Sequence, residues 1–355
     1  MNAREYADDM TTPAVPRRRS RKATVISMII GLAVMVAVFF FLFPQLGNYE
    51  AAFSQLASIP PAWLAALAVA GIVNIVVYPF TATAAIPTLS YRHAFVSRQS
   101  GFLISNVIPG GGAFAVGTQY SILSRYGVSA NSAAAAVSAD AVWTYLMVLG
   151  SPALAVALLV AEGRSAAGYT TMAIIGLAAV IVSLIVIVTI LRSPQNAARL
   201  GRALQRPAAW LWGKLRREPP DVERSLVEFN RHASVLVAER WRMLTVTNVA
   251  AQLTPYLVLV CAIAGLGGFP TPVNWIEVFA AYSIALLLTS FPITPGGLGT
   301  VDAALVLLLT RFGLDSSTAI AADLIWRLVW FLPQLLTGLV ALGIFTWDQR
   351  KAQRP

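Results

Sequence analysis

The sequence has few of the residues on which most enzymes and metalloproteins depend. Its 355 residues include a single cysteine, Cys261, which excludes an internal disulfide and a cysteine-rich metal site. The two histidines, His93 and His232, each flank an apolar segment, where a lone histidine is expected to be solvated. Few residues are therefore available for acid–base, nucleophilic or metal chemistry, and the sequence predicts neither a metal site nor a cofactor.

Charged residues are also scarce, because they make up 12% of the chain while hydrophobic residues make up 57%. The mean hydropathy of +0.69 is incompatible with an ordinary soluble domain. The net charge of +10 comes from short basic blocks that abut apolar runs, a pattern typical of membrane topology signals and anionic-lipid contacts. We therefore expect a membrane protein whose partners are membrane lipids, above all anionic phospholipids, and not nucleic acid.

Six apolar runs are long enough to cross a bilayer, which takes about 20 residues. The first follows a basic block ending at Lys22 and is too long for a signal-peptide core, so we expect it to remain uncleaved. Two further apolar stretches, 99–124 and 275–310, are interrupted by proline and glycine, which break helices. The predicted fold is all-α and integral to the membrane, with two broken re-entrant helix pairs and six spanning helices at 23–43, 61–83, 131–161, 168–191, 243–266 and 318–346.

The distribution of arginine and lysine decides whether the broken stretches cross the membrane or turn back. If both turn back, all 26 basic residues except Arg164, Arg311 and Arg327 lie on the cytoplasmic side, as the positive-inside rule requires. If both cross, the basic segment 192–242 moves outside and the bias disappears. The sequence thus predicts a bacterial inner-membrane protein with cytoplasmic termini: a basic tail (1–22), a transmembrane domain (23–346) with a cytoplasmic basic loop (192–242), and a short tail (347–355).

The two broken stretches are related in sequence. At one ungapped offset of 186 residues, three matches recur: Pro109-Gly110-Gly111 with Pro295-Gly296-Gly297, Arg125-Tyr126-Gly127 with Arg311-Phe312-Gly313, and Ala133 with Ala319. In the predicted topology the repeat elements 99–161 and 275–346 have opposite orientations, as in alternating-access carriers whose site lies at the repeat interface. The alternative is that the breaks only let helices pack closely.

Broken helices at membrane depth predict a cavity that binds an anion. Their ends leave backbone N–H groups unsatisfied and carry partial positive charge, which suits a lipid phosphate. Non-helical backbone is tolerated there only where it is buried in protein or lines a cavity. The candidate site comprises the two breaks and nearby polar side chains: Gly110, Gly111, Gly112, Pro295, Gly296, Gly297, Gly299, Thr300, Asn106, Ser105 and Gln119.

Four ionisable residues lie within apolar segments, where each costs roughly 2.5–3.5 kcal/mol and is functional by default. Asp302, three residues after Gly299, favours a helix start but competes with an anionic ligand. Asp323 and Arg327 are spaced to pair on one helix face, and Arg327 is the best candidate for a lipid phosphate because guanidinium binds phosphate bidentately. Asp140 has no evident partner. A structural Asp–Arg clamp without a ligand is the alternative.

The basic loop 192–242 combines arginines with Trp210 and Trp212. This composition suits contact with anionic headgroups at the membrane surface, although a solvated connector helix fits the same residues. The loop is too short for a catalytic domain.

The second broken stretch carries a family resemblance. Its segment Phe291–Ala304 (FPITPGGLGTVDAA), followed by Arg311-Phe312-Gly313 and Leu324–Arg327, resembles the signature of the lysylphosphatidylglycerol synthase transmembrane-region family, also called flippase-like domain proteins. Asn106–Gly112 is similar to the same family's first motif, and the resemblance spans roughly residues 25–345. The family often has glutamate at the position of Asp302, and a charged residue where Ala113–Ala115 stands here.

The resemblance implies a membrane domain that flips aminoacylated phosphatidylglycerol, which a separate soluble domain makes from aminoacyl-tRNA in full-length members. Only nine residues follow the last predicted span, so we do not expect lysyl transfer by this chain. Some relatives without that domain are tied to polyprenyl, hopanoid or glycolipid pathways. We expect a translocase for an anionic or aminoacylated phospholipid, or for a polyprenyl-linked lipid or glycolipid. The alternatives are a membrane-embedded transferase with Asp302 or Asp323 as base, and a scaffold that binds an envelope-synthesis enzyme through loop 192–242.

Overall fold

A computed structural model of the chain describes residues 57–108, 111–163, 188–214, 221–290 and 294–352, with Ser54, Gln55 and scattered positions from 178 to 186. All regular structure in these residues is helical, as the sequence predicts. The α-helices are α1 (Pro61–Val77), α2 (Phe80–Ala85), α3 (Tyr91–Val107), α4 (Gly112–Arg125), α5 (Ala130–Ala161), α6 (Pro194–Lys214), α7 (Val222–Gly265), α8 (Trp275–Leu286), α9 (Thr300–Arg311), α10 (Ser316–Trp326) and α11 (Leu332–Ala352).

Among the residues that the structure describes, four helical segments are long and apolar enough to cross a bilayer: Pro61–Ala85, Ser132–Ala161, Leu236–Gly265 and Ser316–Lys351. They coincide with four of the predicted spans. The predicted span 23–43 and the tail 1–22 lie outside the described residues, and 168–191 lies largely outside them.

Each stretch that the sequence predicts to be broken forms a pair of packed helices. The first pair, hairpin 1, consists of α3 and α4, and Ile108 between them has extended backbone. The second pair, hairpin 2, consists of α8 and α9, joined through 3₁₀ turns at Leu287–Ser290 and Pro295–Gly297. Every residue from Ile276 to Ala285 in α8 is buried, so this helix lies inside the bundle.

The ends of the two hairpins share their backbone geometry at the offset of 186 residues. Gly127 and Gly313 both adopt positive φ, at 83° and 110°. The hydrogen bond from Val128 N to Leu123 O recurs as that from Leu314 N to Leu309 O. These are helix C-terminal caps of the kind that glycine favours. The next helix begins one residue after Ser129 in one case and Asp315 in the other, and each of these side chains caps it.

The described part of the predicted basic loop 192–242 forms two packed helices, a helical hairpin, which agrees with the connector-helix alternative. Its first half is α6, and its second half is the start of α7, which continues without interruption into the span Leu236–Gly265. The two helices approach closely at Gly201, where an added Cβ would lie 2.4 Å from Glu223 Cα. Arg202 Nη1 donates to Glu223 Oε1 over 2.5 Å, which ties the two helices together.

The last helical segment packs against helices of both hairpins. Its first part, α10, packs against α7 and α9, and its second part, α11, packs along α3. A single π-helical turn at Arg327–Phe331 separates the parts, with Leu332 N donating to Arg327 O. π turns of this kind often occur at functional sites.

Candidate functional site

The tips of the two hairpins meet at one cavity of about 420 Å³. An added Cβ at Gly296 in hairpin 2 would lie 3.5 Å from Asn106 Oδ1 in hairpin 1, so the two breaks are neighbours. Most of the residues that the sequence predicts for the site line this cavity: Ser105, Asn106, Gly111, Gly112, Pro295, Gly296, Gly297 and Arg327. Gly110 lies outside the described residues.

A buried ion pair closes one side of the cavity. Arg327 Nε donates to Asp302 Oδ1 over 2.6 Å, and the two residues are 1% and 0% exposed. Asp302 Oδ2 accepts a 2.6 Å hydrogen bond from Gly299 N, so the carboxylate also caps the start of α9. The glycine is suited to this position because its φ of 82° lies in the left-handed region.

The guanidinium of Arg327 is held in a fixed orientation. Its Nη1 donates to Gly296 O over 3.3 Å. Its Cζ lies 4.9 Å from the ring centroid of Trp326 and 5.1 Å from that of Phe331, within the range of cation–π attraction. The π turn places these residues around the charge, since Arg327 and Phe331 begin and end it.

Three hydrogen-bonding groups of cavity residues have no partner in the described part of the chain. They are Arg327 Nη2, Trp330 Nε1 and Ser290 Oγ. Buried polar groups are almost always hydrogen-bonded, and each orphan costs about 1–3 kcal/mol. Two of the three can only donate, so any group that paired with them would have to supply acceptor atoms.

The two helix starts at the cavity differ in what they offer to a ligand. The start of α4, at Gly111–Ala113, lines the cavity and has no side-chain cap. The start of α9 is capped by Asp302, and Gly297 N donates to Thr294 O. The prediction that both breaks offer backbone amides is therefore wrong for Gly297 and Gly299, because internal acceptors already use their N–H groups.

The remaining predicted side chains make internal contacts. Asn106 Nδ2 donates to Phe102 O over 2.8 Å, and Thr300 Oγ1 donates to Gly297 O over 3.2 Å. Gln119 lies beside Arg98 instead of the cavity, and its Oε1 accepts a 3.3 Å hydrogen bond from Arg98 Nη1.

Asp323 does not pair with Arg327, contrary to the expectation from their spacing. Arg327 forms its salt bridge with Asp302 on α9, because the guanidinium points across to hairpin 2 and not back along its own helix. Asp323 is 1% exposed, and neither of its carboxyl oxygens has a hydrogen-bond donor among the described residues.

A second buried ion pair joins hairpin 1 to α5. Arg98 Nη1 donates to Asp140 Oδ2 over 2.5 Å, and the guanidinium lies 4.3 Å from the ring centroid of Tyr78. This pair identifies the partner of Asp140. It also places Arg98 within a helix, because α3 begins at Tyr91, before the apolar stretch that the sequence indicates from 99. Hairpin 1 contributes the arginine of its ion pair, Arg98, whereas hairpin 2 contributes the aspartate of its pair, Asp302.

An apolar groove of about 300 Å³ adjoins the polar cavity. It runs between α5, α7 and α8, and Val148 and Leu286 line both spaces. Its other walls are mostly hydrophobic, including Leu154, Leu253 and Phe279. A polar chamber and an apolar groove thus share a wall.

Comparison with known proteins places the chain in a family. Residues 28–338 match the model described as the lysylphosphatidylglycerol synthase TM region, and this match includes both hairpins and both ion pairs. A comparison with curated proteins finds no match. Together with its long apolar helices, the match identifies the chain as a multi-pass membrane protein that belongs to the lysylphosphatidylglycerol synthase transmembrane-region family.

Proposed function

We propose that the protein is a lipid translocase that holds a phosphate-bearing headgroup in the cavity between the two hairpins. Its substrate class is an anionic or aminoacylated phospholipid, or a polyprenyl-linked lipid or glycolipid. The observation that carries the proposal is the set of unpartnered groups on Arg327, Trp330 and Ser290 around one cavity. Each of these groups is able to donate to a phosphate oxygen, and the bond to guanidinium would be charge-assisted.

The apolar groove supports an amphiphile over a free anion. A hydrocarbon chain in the groove between α5, α7 and α8 would leave the headgroup next to the shared wall at Val148 and Leu286. The groove would keep such a chain in apolar surroundings, as the bilayer core does, while the headgroup occupies the polar cavity. A lipid therefore fits both spaces at once, whereas inorganic phosphate would use only the cavity.

The paired hairpins support transport. We infer that they are re-entrant elements of an inverted repeat in the inner membrane, with both termini in the cytoplasm. Their matching helix caps at Gly127 and Gly313 support a common origin. In carriers of this architecture the site lies where the repeats meet, and rocking of one repeat against the other exposes it to each side in turn.

The transferase alternative is less well supported by the geometry. A general base needs a free oxygen within reach of the substrate. One oxygen of Asp302 accepts from Arg327 and the other from Gly299. Asp323 has free oxygens but does not line the cavity. The scaffold alternative depends on the hairpin of α6 and α7, where an envelope-synthesis enzyme would bind. A pull-down that required residues 192–242 but not Arg327 would favour it.

The test is lipid exchange in liposomes that carry leaflet-specific fluorescent phospholipids, anionic and zwitterionic. Trp330→Phe removes one unpartnered donor, keeps an aromatic ring and leaves the ion pair intact. We expect it to slow exchange about 10- to 100-fold, as loss of one hydrogen bond to a charged group would. Arg327→Lys keeps the charge but loses the fork geometry, and we expect a loss at least as large.

The matched control is Trp347→Phe, since this tryptophan is largely exposed on the same helical segment and does not line the cavity. It should exchange lipid at the wild-type rate. Equal rates of lipid exchange for Trp330→Phe and wild type would contradict binding of the headgroup in this cavity. Chemically altered lipid in the vesicles, detected by mass spectrometry, would favour the transferase instead.

A further inference from the structure

Asp323 is a buried acid that the proposed headgroup site does not use. It lies on α10, one turn before Arg327, with both oxygens shielded and without a donor in the described residues. The carboxyl group of Asp302, on the neighbouring helix α9, lies within hydrogen-bonding reach of it. Two carboxylates and one guanidinium therefore share one buried cluster.

The charges of this cluster do not balance if both acids are ionised. Arg327 contributes one positive charge, and its salt bridge with Asp302 neutralises that charge. An ionised Asp323 would add an uncompensated negative charge at a residue that is only 1% exposed, which is among the most expensive arrangements in a protein. It would also face a second carboxylate, and such pairs hold one proton between them.

Within the described part of the chain, the other helices around α10 supply no compensating cation. α10 packs against α7, α9 and the π turn. From Thr254 to Gly265 in α7, the titratable side chains are the neutral phenol of Tyr256 and the thiol of Cys261. The Tyr256 hydroxyl is already engaged, because it donates to Trp275 O over 2.7 Å. Of the described residues, the charged groups that act on Asp323 are thus Asp302 and Arg327.

We propose that Asp323 binds an exchangeable proton, which it shares with Asp302, and that this proton is linked to binding of the lipid phosphate at Arg327. With the proton in place, Asp323 donates a hydrogen bond to the Asp302 carboxylate, and the cluster is neutral. Arg327 then attracts a lipid phosphate without competition from a negative charge on Asp323. When the proton leaves, Asp323 competes for the guanidinium and repels the phosphate.

Linkage makes the effect reciprocal, so a bound phosphate also holds the proton on Asp323. Headgroup and proton would therefore enter and leave the cavity together, and a proton gradient would bias the direction of lipid movement. The coupling between proton and lipid rests on the proposed lipid site, whereas the presence of a proton on Asp323 does not.

The proton is tested first, without lipid, by infrared spectroscopy of the purified wild-type protein and the Asp323→Asn variant. We expect a carboxylic-acid carbonyl band that exchanges in heavy water and is missing in Asp323→Asn. Asp315→Asn, which changes an exposed aspartate just before the same helix, should keep the band. A wild-type spectrum without the band, or an Asp323→Asn spectrum that keeps it, would overturn the proton site.

The linkage is tested by binding of short-chain phosphatidylglycerol to the detergent-solubilised protein from about pH 5 to about pH 9, a range in which the phosphodiester stays charged. We expect the wild-type affinity to fall about tenfold or more as pH rises, because a like charge appears within a few ångströms of the phosphate. Asp323→Asn mimics the protonated acid, so its affinity should stay flat and exceed that of wild type at alkaline pH. The same slope in both proteins, or none in wild type, would overturn the linkage. Failure of both proteins to bind would count against the proposed lipid site, while the infrared band would still decide the proton.

Discussion

Arg327 Nε and Asp302 Oδ1 lie 2.6 Å apart, and their salt bridge joins the last spanning segment to the tip of hairpin 2. The same carboxylate caps α9 through Gly299 N. One pair of residues thus fixes the start of a helix, the orientation of a guanidinium and one wall of the cavity.

Removal of either partner should destabilise the protein strongly. We expect Asp302→Asn to lower the free energy of unfolding by about 3 kcal/mol, the low end for a broken buried pair, because Asp323 stays as a second carboxylate near the guanidinium. The double variant Asp302→Asn/Arg327→Gln should recover part of this loss. Unfolding of the purified protein in mixed micelles, followed by tryptophan fluorescence, measures both.

A matched control for this prediction is the exposed pair Arg224–Glu228, whose nitrogen–oxygen distance is 3.0 Å. Glu228→Gln should cost less than about 1 kcal/mol, as surface ion pairs do. Similar losses for Asp302→Asn and Glu228→Gln would contradict the assignment of the first pair to the protein interior.

The second ion pair should behave in the same way in hairpin 1. Arg98→Gln leaves Asp140 buried and unpaired, and we expect a loss of about 3–5 kcal/mol in the unfolding assay. Arg98→Met combined with Asp140→Leu removes both charges and should restore much of the stability. If the double variant were no more stable than Arg98→Gln, the unpaired charge of Asp140 would not be the cause of the loss.

Close packing of α11 on α3 depends on Gly338. A Cβ there would lie 2.7 Å from both Gln99 O and Leu103 Cβ, so Gly338→Ala must push the helices apart. We expect a loss of about 1–3 kcal/mol in the free energy of unfolding. Gly343→Ala on the same helix meets no atom within 4 Å and should be neutral or stabilising by up to about 1 kcal/mol. Equal effects of the two variants would refute the close approach.

The equivalent helix caps Ser129 and Asp315 should differ in their response to acid. Hydrogen bonds from the Ser317 hydroxyl and from the first N–H groups of α10 lower the pKa of Asp315 below its ordinary 3.8. A depressed pKa means that the carboxylate stabilises the fold above that value and loses its effect as the pH falls through the folded-state pKa.

Asp315→Ala and Ser129→Ala should each cost about 1 kcal/mol near neutral pH. The cost of Asp315→Ala should shrink below about pH 4, whereas that of Ser129→Ala should not, because a hydroxyl does not titrate there. Unfolding at a series of pH values checks this. A parallel acid response of the two variants would contradict the capping role of the Asp315 carboxylate.

Local patterns in the sequence predicted the parts of the fold that depend on neighbouring residues. Hydropathy located four spans that the structure describes, and Pro-Gly breaks located both hairpins. The equivalence of Gly127 and Gly313 followed from a short repeated motif, because both glycines serve the same local turn.

Ion pairs between residues that are far apart in the chain could not be predicted from the sequence. Arg98 lies in a polar stretch with Arg92 and His93 that lowers the local hydropathy, and its burial depends on Asp140, 42 residues away. Likewise, spacing along one helix favoured Asp323 as the partner of Arg327, whereas packing brings Asp302 to it from another helix. The start of α3 gave one local signal, since Ser90 accepts from His93 N as an N-cap does.

The π-helical turn at Arg327–Phe331 accommodates one more residue than an α-helical turn, so side chains beyond it are rotated relative to those before it. This rotation lets Trp326 donate to Pro255 O in α7 while Gln334 donates to Asn74 in α1. Rewinding the turn to α-helical geometry would twist α11 against hairpin 1 while α10 stayed on hairpin 2. The winding of these five residues therefore sets how α11 is rotated against hairpin 1 relative to α10 on hairpin 2.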